Sequence, residues 1–365
     1  MTSGLLDGVK VLDLSRVLAG PLCTMMLGDL GADVLKVERP GEGDDTRGWG
    51  PPFDARGESA YYLSVNRNKR GITADLADPA DRALLVRLAA EADVVVENFR
   101  PGTLEKHGLG RAALMADRPA LVWCTIGGFR DDASRPGYDY VVQAECGWMA
   151  ITGAPEGAPI KHGVALADVL AGKDATVAIL AALVARARTG LGRHVEVTLQ
   201  GSAEAALVNV AQNVLVSGVP ARRWGNAHAN LVPYQLFDAA DRPMVIAVGA
   251  DGQWLACART LGLDELASDD ALRTNAGRIR ARERVVTEIT GKLKERPATE
   301  WVALLDAAGV PCGVVRTVSE ALAESGASAL TGLPPSVEGS VRRAPPRLGE
   351  HSTVVREHGW GAFNG

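Results

Sequence analysis

A long apolar segment near the middle of the chain has the periodicity of a helix. Four apolar residues recur at i, i+3, i+4 and i+7 and therefore share one helical face: Val177, Leu180, Ala181 and Val184. Alanines and leucines also fill the other faces, so the pattern predicts a helix over Ala171–Arg188 that is buried nearly all round. Thr189-Gly190 would end it, since glycine often terminates helices. Asp168 lies just ahead of the segment, where an aspartate commonly serves as an N-cap.

Short apolar runs alternate with helical segments over the first 200 residues, which is the order of βαβ units. The predicted strands are Val9–Leu14, Val34–Glu38, Ile72–Leu76, Asp93–Phe99, Leu121–Ile126 and His194–Leu199. Strands joined through helices run parallel with right-handed crossovers, so the pattern predicts an α/β fold with a parallel sheet. The turn after the first strand, Ser15–Gly20, contains no GxGxxG motif. A dinucleotide cofactor is therefore not indicated, which disfavours a nicotinamide oxidoreductase.

The chain length predicts more than one domain. A chain of 365 residues exceeds what one hydrophobic core usually holds. Two polar, irregular stretches are interpreted as linkers. The predicted division is a large domain over 1–200, a linker over 201–228, a small domain over 229–317, a return linker over 318–339, and a segment over 340–365 that completes the large domain.

Composition narrows the class of protein. A hydrophobic content of 47% with 23% charged residues is typical of a soluble globular protein. The formal net charge of −5 argues against non-specific nucleic-acid binding, which needs a basic surface. Five cysteines without CxxC or metal-ligand spacing predict a reduced, metal-free, cytoplasmic protein. We also predict no signal peptide and no membrane helix, because the chain shows neither a basic apolar leader nor a long uninterrupted apolar run.

Several polar groups lie where α/β sheets bind ligands. Asn98 and Phe99 fall at the carboxyl end of a predicted buried strand, the usual position of a ligand crevice. Basic residues near strand ends could hold phosphate or carboxylate, although a solvated surface charge is the commoner role of each: Arg16, Lys36, Arg39, Arg47 and Lys106. The Gly249–Gly252 turn could bind an oxyanion, although a plain strand–helix turn is the commoner structure. These patterns predict an anionic small-molecule site without choosing a reaction.

Short motifs recur in a fixed order along the whole chain: Leu14–Pro21, Gly31–Gly41, Gly43–Arg47, Asn66–Lys69, Glu97–Gly102, Gly137–Asp139, the segment around Asp168, and Pro346–His351. Each is weak alone, but their order and separations together resemble the family III CoA-transferases, also called the CaiB/BaiF family. Three further segments resemble the succinyl-CoA:dicarboxylate branch, including succinyl-CoA:glutarate CoA-transferases: Trp49–Phe53, Tyr61–Lys69 and Arg223–His228.

This resemblance implies an architecture and a set of partners. The large domain would be Rossmann-like with a parallel sheet, the second domain a smaller α/β unit, and two chains would interlock as a homodimer through the linkers. The partners would be an acyl-CoA, with succinyl-CoA as the expected donor, and a small carboxylic acid as acceptor. CoA would be a substrate, with no permanently bound cofactor and no role for nucleic acid or membrane.

The resemblance also implies roles for single residues. Asp168 matches the family's catalytic aspartate, and a carboxylate with an ordinary pKa near ~3.9 is ionised at neutral pH and can act as a nucleophile. It would form a mixed anhydride with the donor acyl group and then an aspartyl-CoA thioester. The positions that match CoA contacts are Arg16, Val17, Leu18, Arg39, Ala74, Leu76, Asn98, Phe99, Lys106 and Tyr138. Backbone donors at Gly249 and Gly252 are the implied oxyanion contact.

Two alternatives to CoA transfer stay open. The 2-methylacyl-CoA racemases of the family carry a histidine where this chain has Tyr138, and a tyrosine is a poor base at neutral pH. Transfer is therefore favoured over racemisation. A non-catalytic CoA-binding protein is the other alternative, which the presence of Asp168 disfavours. Formyl-CoA:oxalate transferases have glutamine in place of Leu18, which disfavours oxalate as the acceptor. The candidates for binding the distal carboxylate of a dicarboxylic acceptor are Arg47, Arg223 and His228.

Overall fold

The computed structural model describes residues 4–363, which divide into two units. The first unit comprises residues up to Trp148, Lys161–Gly218 and the chain from Ala323 onward. The second comprises Met149–Ile160 and Val219–Leu322. The bounds of these units differ from the predicted division. Residues 201–218, assigned to a linker, group with the first unit, and residues 149–160, assigned to the large domain, group with the second unit.

Parallel strands form the centre of the first unit. The strands of the chain are β1 Lys10–Asp13, β2 Asp33–Glu38, β3 Lys69–Thr73, β4 Val94–Glu97, β5 Val122–Gly127, β6 His194–Thr198, β7 Tyr234–Asp238, β8 Pro243–Ala247 and β9 Cys312–Val314. Within residues 4–363, the first six make a parallel sheet in the order β3-β2-β1-β4-β5-β6. This is the strand order of Rossmann-like folds, and it confirms the predicted fold class. The order reverses between β1 and β4, so the loops after these strands define the ligand crevice.

Helices cover both faces of this sheet. The helices of both units are, in chain order, α1 Ala19–Asp29, α2 Ala60–Leu63, α3 Pro79–Glu91, α4 Thr103–Lys106, α5 Arg111–Asp117, α6 Asp139–Glu145, α7 Trp148–Ile151, α8 Leu166–Thr189, α9 Leu199–Ala205, α10 Val208–Ser217, α11 Asp251–Thr260, α12 Asp264–Ser268, α13 Asn275–Arg280, α14 Arg282–Leu293, α15 Ala298–Ala307, α16 Val318–Leu322 and α17 Ser352–His358. One apolar core lies between the sheet and α1 and α8, and a second lies between the opposite face and α3, α5 and α17.

The buried face of α8 is made of small residues. Its fully buried positions are mostly alanines, with Ile179 as the one large aliphatic side chain: Ala167, Ala171, Ala175, Ile179 and Ala182. The predicted face is wrong, since Val177 and Val184 are 66% and 62% exposed. Small residues let α8 approach α1 closely. A Cβ on Gly172 would lie 2.6 Å from the carbonyl oxygen of Ala19. Val177 and Val184 therefore lie on the opposite, exposed face of α8.

The second unit contains a small antiparallel sheet. Over the described residues its strand order is β7-β8-β9, and helices α11, α14 and α15 pack on it. Trp254 and Trp301 are the largest side chains buried in this core. None of the helices over residues 4–363 has the length and hydropathy to cross a membrane.

Buried charges on β1, β2 and β3 and in the loop after β2 connect these strands. Asp13, at the end of β1, accepts hydrogen bonds from Lys69 Nζ at 3.0 Å and from Thr24 Oγ1 at 2.6 Å. Lys36 Nζ donates to Asp44 at 2.9 Å and to the carbonyl oxygen of Ser15 at 3.0 Å. Burial alone would raise the pKa of Asp13, but Lys69 and Lys36 overcome that effect and hold the pKa at about 2. Ion pairs therefore join the strands to the loops that follow them.

This network explains why β3 starts earlier than predicted. The predicted strand was Ile72–Leu76, but the observed strand begins at Lys69. The Lys69 side chain is almost completely buried because its ammonium group has Asp13, Asn66 and the Pro21 carbonyl oxygen as partners. Hydrophobic periodicity does not register a buried lysine that is paired in this way.

We expect Lys69→Met to destabilise the first unit by about 3–5 kcal/mol, because the substitution leaves the Asp13 carboxylate buried without one of its two cations. A urea titration read out by pulsed hydrogen exchange of β1 and β3 peptides measures this unit alone. Lys10→Met is the matched control, since Lys10 Nζ lies 3.4 Å from Glu91 in a partly exposed pair. That change should cost less than about 1 kcal/mol. Equal losses in the two variants would contradict the argument.

Candidate active site

The loops after β1 and β4 are joined at the point where the strand order reverses. Asn98 Oδ1 accepts the backbone N–H of Arg16 at 3.0 Å, and Asn98 Nδ2 donates to the Arg16 carbonyl oxygen at 2.8 Å. The next residue, Val17, has φ +71°, which is a strained conformation for a β-branched residue. The Asp44 carboxylate holds it by accepting the Val17 N–H. The buried network thus extends into the crevice through Asp44.

Most of the residues predicted to bind CoA line two neighbouring cavities. The first cavity, at the ends of β1–β3, has apolar walls with charges at its edge, and it brings together the predicted residues Arg16, Arg39, Ala74, Leu76 and Phe99. The second cavity brings together Arg16, Val17, Asn98, Phe99, Tyr138 and Asp168. Arg16 and Phe99 belong to both walls, and the Arg16 guanidinium lies 5.5 Å from the centre of the Phe99 ring. The carboxylate and the predicted CoA contacts are therefore neighbours.

Two predicted CoA contacts lie outside these walls. Leu18 precedes α1 as its N-cap residue, and Lys106 is the exposed last residue of α4. Arg39 lines the first cavity but pairs with Glu42 at 3.0 Å and with Asp45 at 2.7 Å. A phosphate at this position would compete with these carboxylates for the guanidinium group.

Asp168 lies in the first turn of α8. The predicted N-cap role is wrong, because Ala165 occupies the cap position and Asp168 is already helical. Its half-buried carboxylate accepts a hydrogen bond from the backbone N–H of Ala19, the first residue of α1. The close approach at Gly172 permits this contact, since α1 and α8 meet there without intervening side chains. Two helix N-termini therefore lie next to the carboxylate.

The protonation state of Asp168 differs from the expectation. Burial and then the charge of Asp139 raise the pKa of Asp168 to about 7, although the Ala19 N–H acts in the opposite direction. The expectation that Asp168 is fully ionised at neutral pH is therefore wrong. The sequence carried no sign of this, because desolvation depends on how α1, α6 and α8 pack around the carboxylate.

Two glycines bring α6 to the site. The backbones of Gly128, after β5, and Gly137, just before α6, cross so closely that a Cβ on Gly137 would lie 2.1 Å from the Gly128 Cα. Both glycines line the cavity that contains Asp168. The crossing places Tyr138 in the cavity wall and Asp139 near the nucleophile candidate.

Sequence reasoning missed several residues around Asp168. Burial and the charges of Asp168 and Asp139 raise the pKa of Tyr61 to about 12, which shows that this phenol lies near both carboxylates. Trp49 packs edge-on against Tyr61 with 5.1 Å between the ring centres. Arg100 and Arg135 line the same cavity as Asp168. Trp49 and Tyr61 lie in motifs that resemble the dicarboxylate branch. This resemblance was the sequence signal that could have identified them as site residues.

The predicted acceptor role of Arg47 conflicts with its contacts. Arg47 is 9% exposed, donates to Glu38 at 2.7 and 2.8 Å and to Glu58 at 2.6 Å, and stacks 3.7 Å above the centre of the Tyr62 ring. Two buried carboxylates therefore already hold this guanidinium. A substrate carboxylate would have to displace one of them, so we do not assign Arg47 to the acceptor.

The remaining predicted site residues lie in the second unit. Arg223 donates three hydrogen bonds to the backbone carbonyl oxygens of residues 150, 154 and 157. His228 Nδ1 accepts the Asn230 N–H at 3.0 Å. At the Gly249–Gly252 turn, the N–H groups of Gly249 and Ala250 both donate to Gln253 Oε1, at 3.0 and 3.1 Å. Between residues 4 and 363, no group of three His, Cys, Asp or Glu side chains is arranged to hold a metal ion.

These features define an α/β enzyme of Rossmann-like fold with a carboxylate in its switch-point crevice. The sequence model of CoA-transferase family III matches residues 6–352, and the chain belongs to this family. It is 40% identical to the succinyl-CoA:glutarate CoA-transferase of Homo sapiens over 96% of this chain and 85% of the relative. It is also 40% identical to the succinate–glutarate CoA-transferase of Agrobacterium fabrum, over 96% and 94%. The resemblance inferred from short motifs is confirmed.

Solved structures agree with this assignment. The fold matches a CaiB/BaiF family protein from Brucella suis with a TM-score of 0.86 and 41% identity, over 98% of this chain and 99% of that chain. A protein from Mycobacterium tuberculosis matches with a TM-score of 0.84 and 31% identity, over 96% and 99%.

We expect Asp168→Asn to be more stable than the parent protein at pH 8 and equally stable near pH 4. A carboxyl group whose folded-state pKa of about 7 exceeds its unfolded value near ~3.9 destabilises the fold progressively as pH rises between these values. Asparagine has no charge to bury and can still accept the Ala19 N–H. Calorimetric melting temperatures from pH 4 to 8 measure the difference. Asp117→Asn, on an exposed part of α5, is the control. A stability gap that does not grow with pH would contradict the expected protonation of Asp168.

Proposed function

We propose that this enzyme moves CoA from succinyl-CoA to a dicarboxylic acid of the glutarate type. The observation that carries the proposal is the position of Asp168 in a cavity that adjoins the predicted CoA contacts and shares Arg16 and Phe99 with them. The names of the relatives support the substrate class: succinyl-CoA and glutarate in two of them, and succinyl-CoA and mesaconate in a Haloarcula hispanica relative at 40% identity.

The proposed reaction proceeds through covalent intermediates on Asp168. Its carboxylate attacks the thioester carbonyl of succinyl-CoA, which expels CoA thiolate and leaves a mixed anhydride. The thiolate attacks the Asp168 carbonyl, giving an aspartyl-CoA thioester and free succinate. The acceptor carboxylate then attacks this thioester and releases thiolate again, and the thiolate takes the acceptor acyl group and frees Asp168. Over the whole cycle one thioester bond breaks and one thioester bond forms, and each step is an acyl substitution, so no redox step is needed.

Charge develops on carbonyl oxygens in each of these steps, and backbone donors would stabilise it. The oxyanion role of Gly249 and Gly252 stays a prediction, and an oxyanion would have to replace Gln253 Oε1 at the N–H groups of Gly249 and Ala250. For the distal carboxylate of the acceptor, Arg223 and His228 stay the predicted partners. Arg223 uses three of its five N–H donors within the second unit, so two are left for a substrate.

We expect Asp168→Ala to lose CoA transfer by at least about three orders of magnitude, because no other group in the cavity replaces the nucleophile. Mass spectrometry of the protein after incubation with succinyl-CoA, with and without hydroxylamine, should show a CoA adduct or a hydroxamate on Asp168 of the parent protein. Asp174→Ala, on the same helix, should retain the adduct because the Asp174 carboxylate binds Ser202.

Two other outcomes of this experiment would indicate a function other than CoA transfer. An unlabelled parent protein that exchanges the α-proton of a branched acyl-CoA with solvent deuterium would indicate the racemase alternative. Binding of CoA without adduct or exchange would indicate the non-catalytic alternative.

We also infer that two chains associate as a homodimer, interlocked as in the family. In the single chain α10 has no buried residue among those described, and apolar side chains on α8 and α10 face outward: Val177, Val184, Val208, Leu215 and Val216. Their exposed fractions of 62–77% are unusual for aliphatic side chains on helices, and a partner copy would cover them. The location in the cytoplasm likewise stays a prediction.

We expect Leu215→Glu to weaken the dimer because it places a charge on the outward face of α10. Sedimentation velocity over a concentration series should give a dimer for the parent protein and a larger monomer fraction for the variant. Arg284→Glu, at an exposed position on α14, is the control for added negative charge. A parent protein that sediments as a monomer at all concentrations would exclude the homodimer.

A further inference from the structure

Asp139 links α6 to the segment that leads into the nucleophile helix. Its Oδ1 accepts the backbone N–H of Ala167 at 2.8 Å, and its Oδ2 accepts Gln143 Nε2 at 2.6 Å. Gln143 in turn accepts the His162 N–H at 2.8 Å. Ala167 precedes Asp168, so one carboxylate satisfies an N–H group at the start of α8 and fixes the residue next to the nucleophile.

The same carboxylate is a negative charge close to Asp168. Its charge is the second cause, after burial, of the raised pKa of Asp168, and it also acts on Tyr61, the phenol on α2. The other charged or titratable groups in the cavity wall are Arg16, Asp45, Arg100, Arg135 and Tyr138. Two of these cations are already paired with carboxylates: Arg16 lies 3.4 Å from Asp45, and Arg135 binds Glu145. The charge that opposes ionisation of Asp168 is therefore that of Asp139.

We propose that Asp139 is a positioning residue for CoA transfer, which holds the first turn of α8 and keeps a negative charge against the nucleophilic carboxylate of Asp168. The proposal rests on the proposed function. Asp139 touches no reacting atom. It acts through the Ala167 N–H, which sets the direction of the Asp168 side chain, and through repulsion, which is relieved when Asp168 becomes a neutral anhydride or thioester. The relief of repulsion favours the acylated enzyme over the free carboxylate.

The two effects can be separated by substitution. Asp139→Asn removes the charge but keeps an oxygen that can accept the Ala167 N–H. Asp139→Ala removes both the charge and the contact. Gln143→Met keeps the charge and removes the hydrogen bonds of Gln143 to Asp139 and His162. A purely structural role for Asp139 would leave the pH dependence of Asp168 unchanged in all three variants.

The experiment is rapid-quench mass spectrometry of the Asp168–CoA adduct formed from succinyl-CoA between pH 5 and 9. In the parent protein the rate should rise with a midpoint near the pKa of about 7. Asp139→Asn should move this midpoint down by roughly one pH unit, so that at pH 6 it retains a fraction of its own plateau rate roughly fivefold larger than the parent does. Gln143→Met should leave the midpoint in place. Asp139→Ala should move the midpoint likewise and also lower the plateau by about tenfold or more.

A second measurement needs no turnover. The gain in melting temperature at pH 8 from Asp168→Asn should shrink when Asp139→Asn is already present, because less repulsion is left to remove. An unchanged midpoint in Asp139→Asn, or an unchanged gain in the double variant, would overturn the role of Asp139. Absence of any adduct in the parent protein would instead remove the proposed function, while the stability series would still report the charge effect.

Discussion

Buried charge pairs that involve β1, β2 and β3 determine the rest of the site. A parallel sheet of this order leaves its crevice at the strand ends, where loops must be held without secondary structure. Lys36 holds the carbonyl oxygen of Ser15 and the carboxylate of Asp44, and Asp44 in turn holds the strained Val17. Apolar contacts could not fix backbone conformation in this way, because they have no direction. The loop next to Asp168 is therefore ordered by ion pairs that lie beneath it.

Close packing of small residues supplies the second part of the geometry. Gly172 lets α8 meet α1, and the crossing of Gly128 with Gly137 brings α6 against the end of β5. Three elements thereby converge on one carboxylate and remove much of its water. This desolvation raises the pKa of Asp168, so the ionised carboxylate is an unfavourable group within the folded protein. The apolar cores on the two faces of the sheet stabilise the fold against this cost.

Sequence reasoning recovered the family and the class of fold, and it failed where polar groups are buried. The apolar strands β1, β4 and β5 were recognised because each is a continuous buried run. Strand β3 was misplaced because Lys69 is buried through its pairing with Asp13, and Arg47 was assigned to a substrate because Glu38 and Glu58 are remote from it in the sequence. In α8 the small alanines are packed, whereas the larger Val177 and Val184 are exposed. Hydrophobicity alone predicts the opposite, with the valines buried.

In the proposed reaction, desolvation would make Asp168 a better nucleophile than its ordinary acidity suggests. An aspartate in water is weakly basic and well hydrated, and both properties slow its attack on a thioester. In the crevice, burial and Asp139 raise the basicity of the carboxylate, while a single donor, the Ala19 N–H, keeps part of it ionised near neutral pH. In the proposed reaction the attacking oxygen loses its negative charge, so the environment that disfavours the carboxylate favours the intermediates. A racemase would need a second base opposite this carboxylate. Tyr138 in the cavity wall does not provide one at neutral pH, and the crevice therefore suits acyl exchange better than proton exchange.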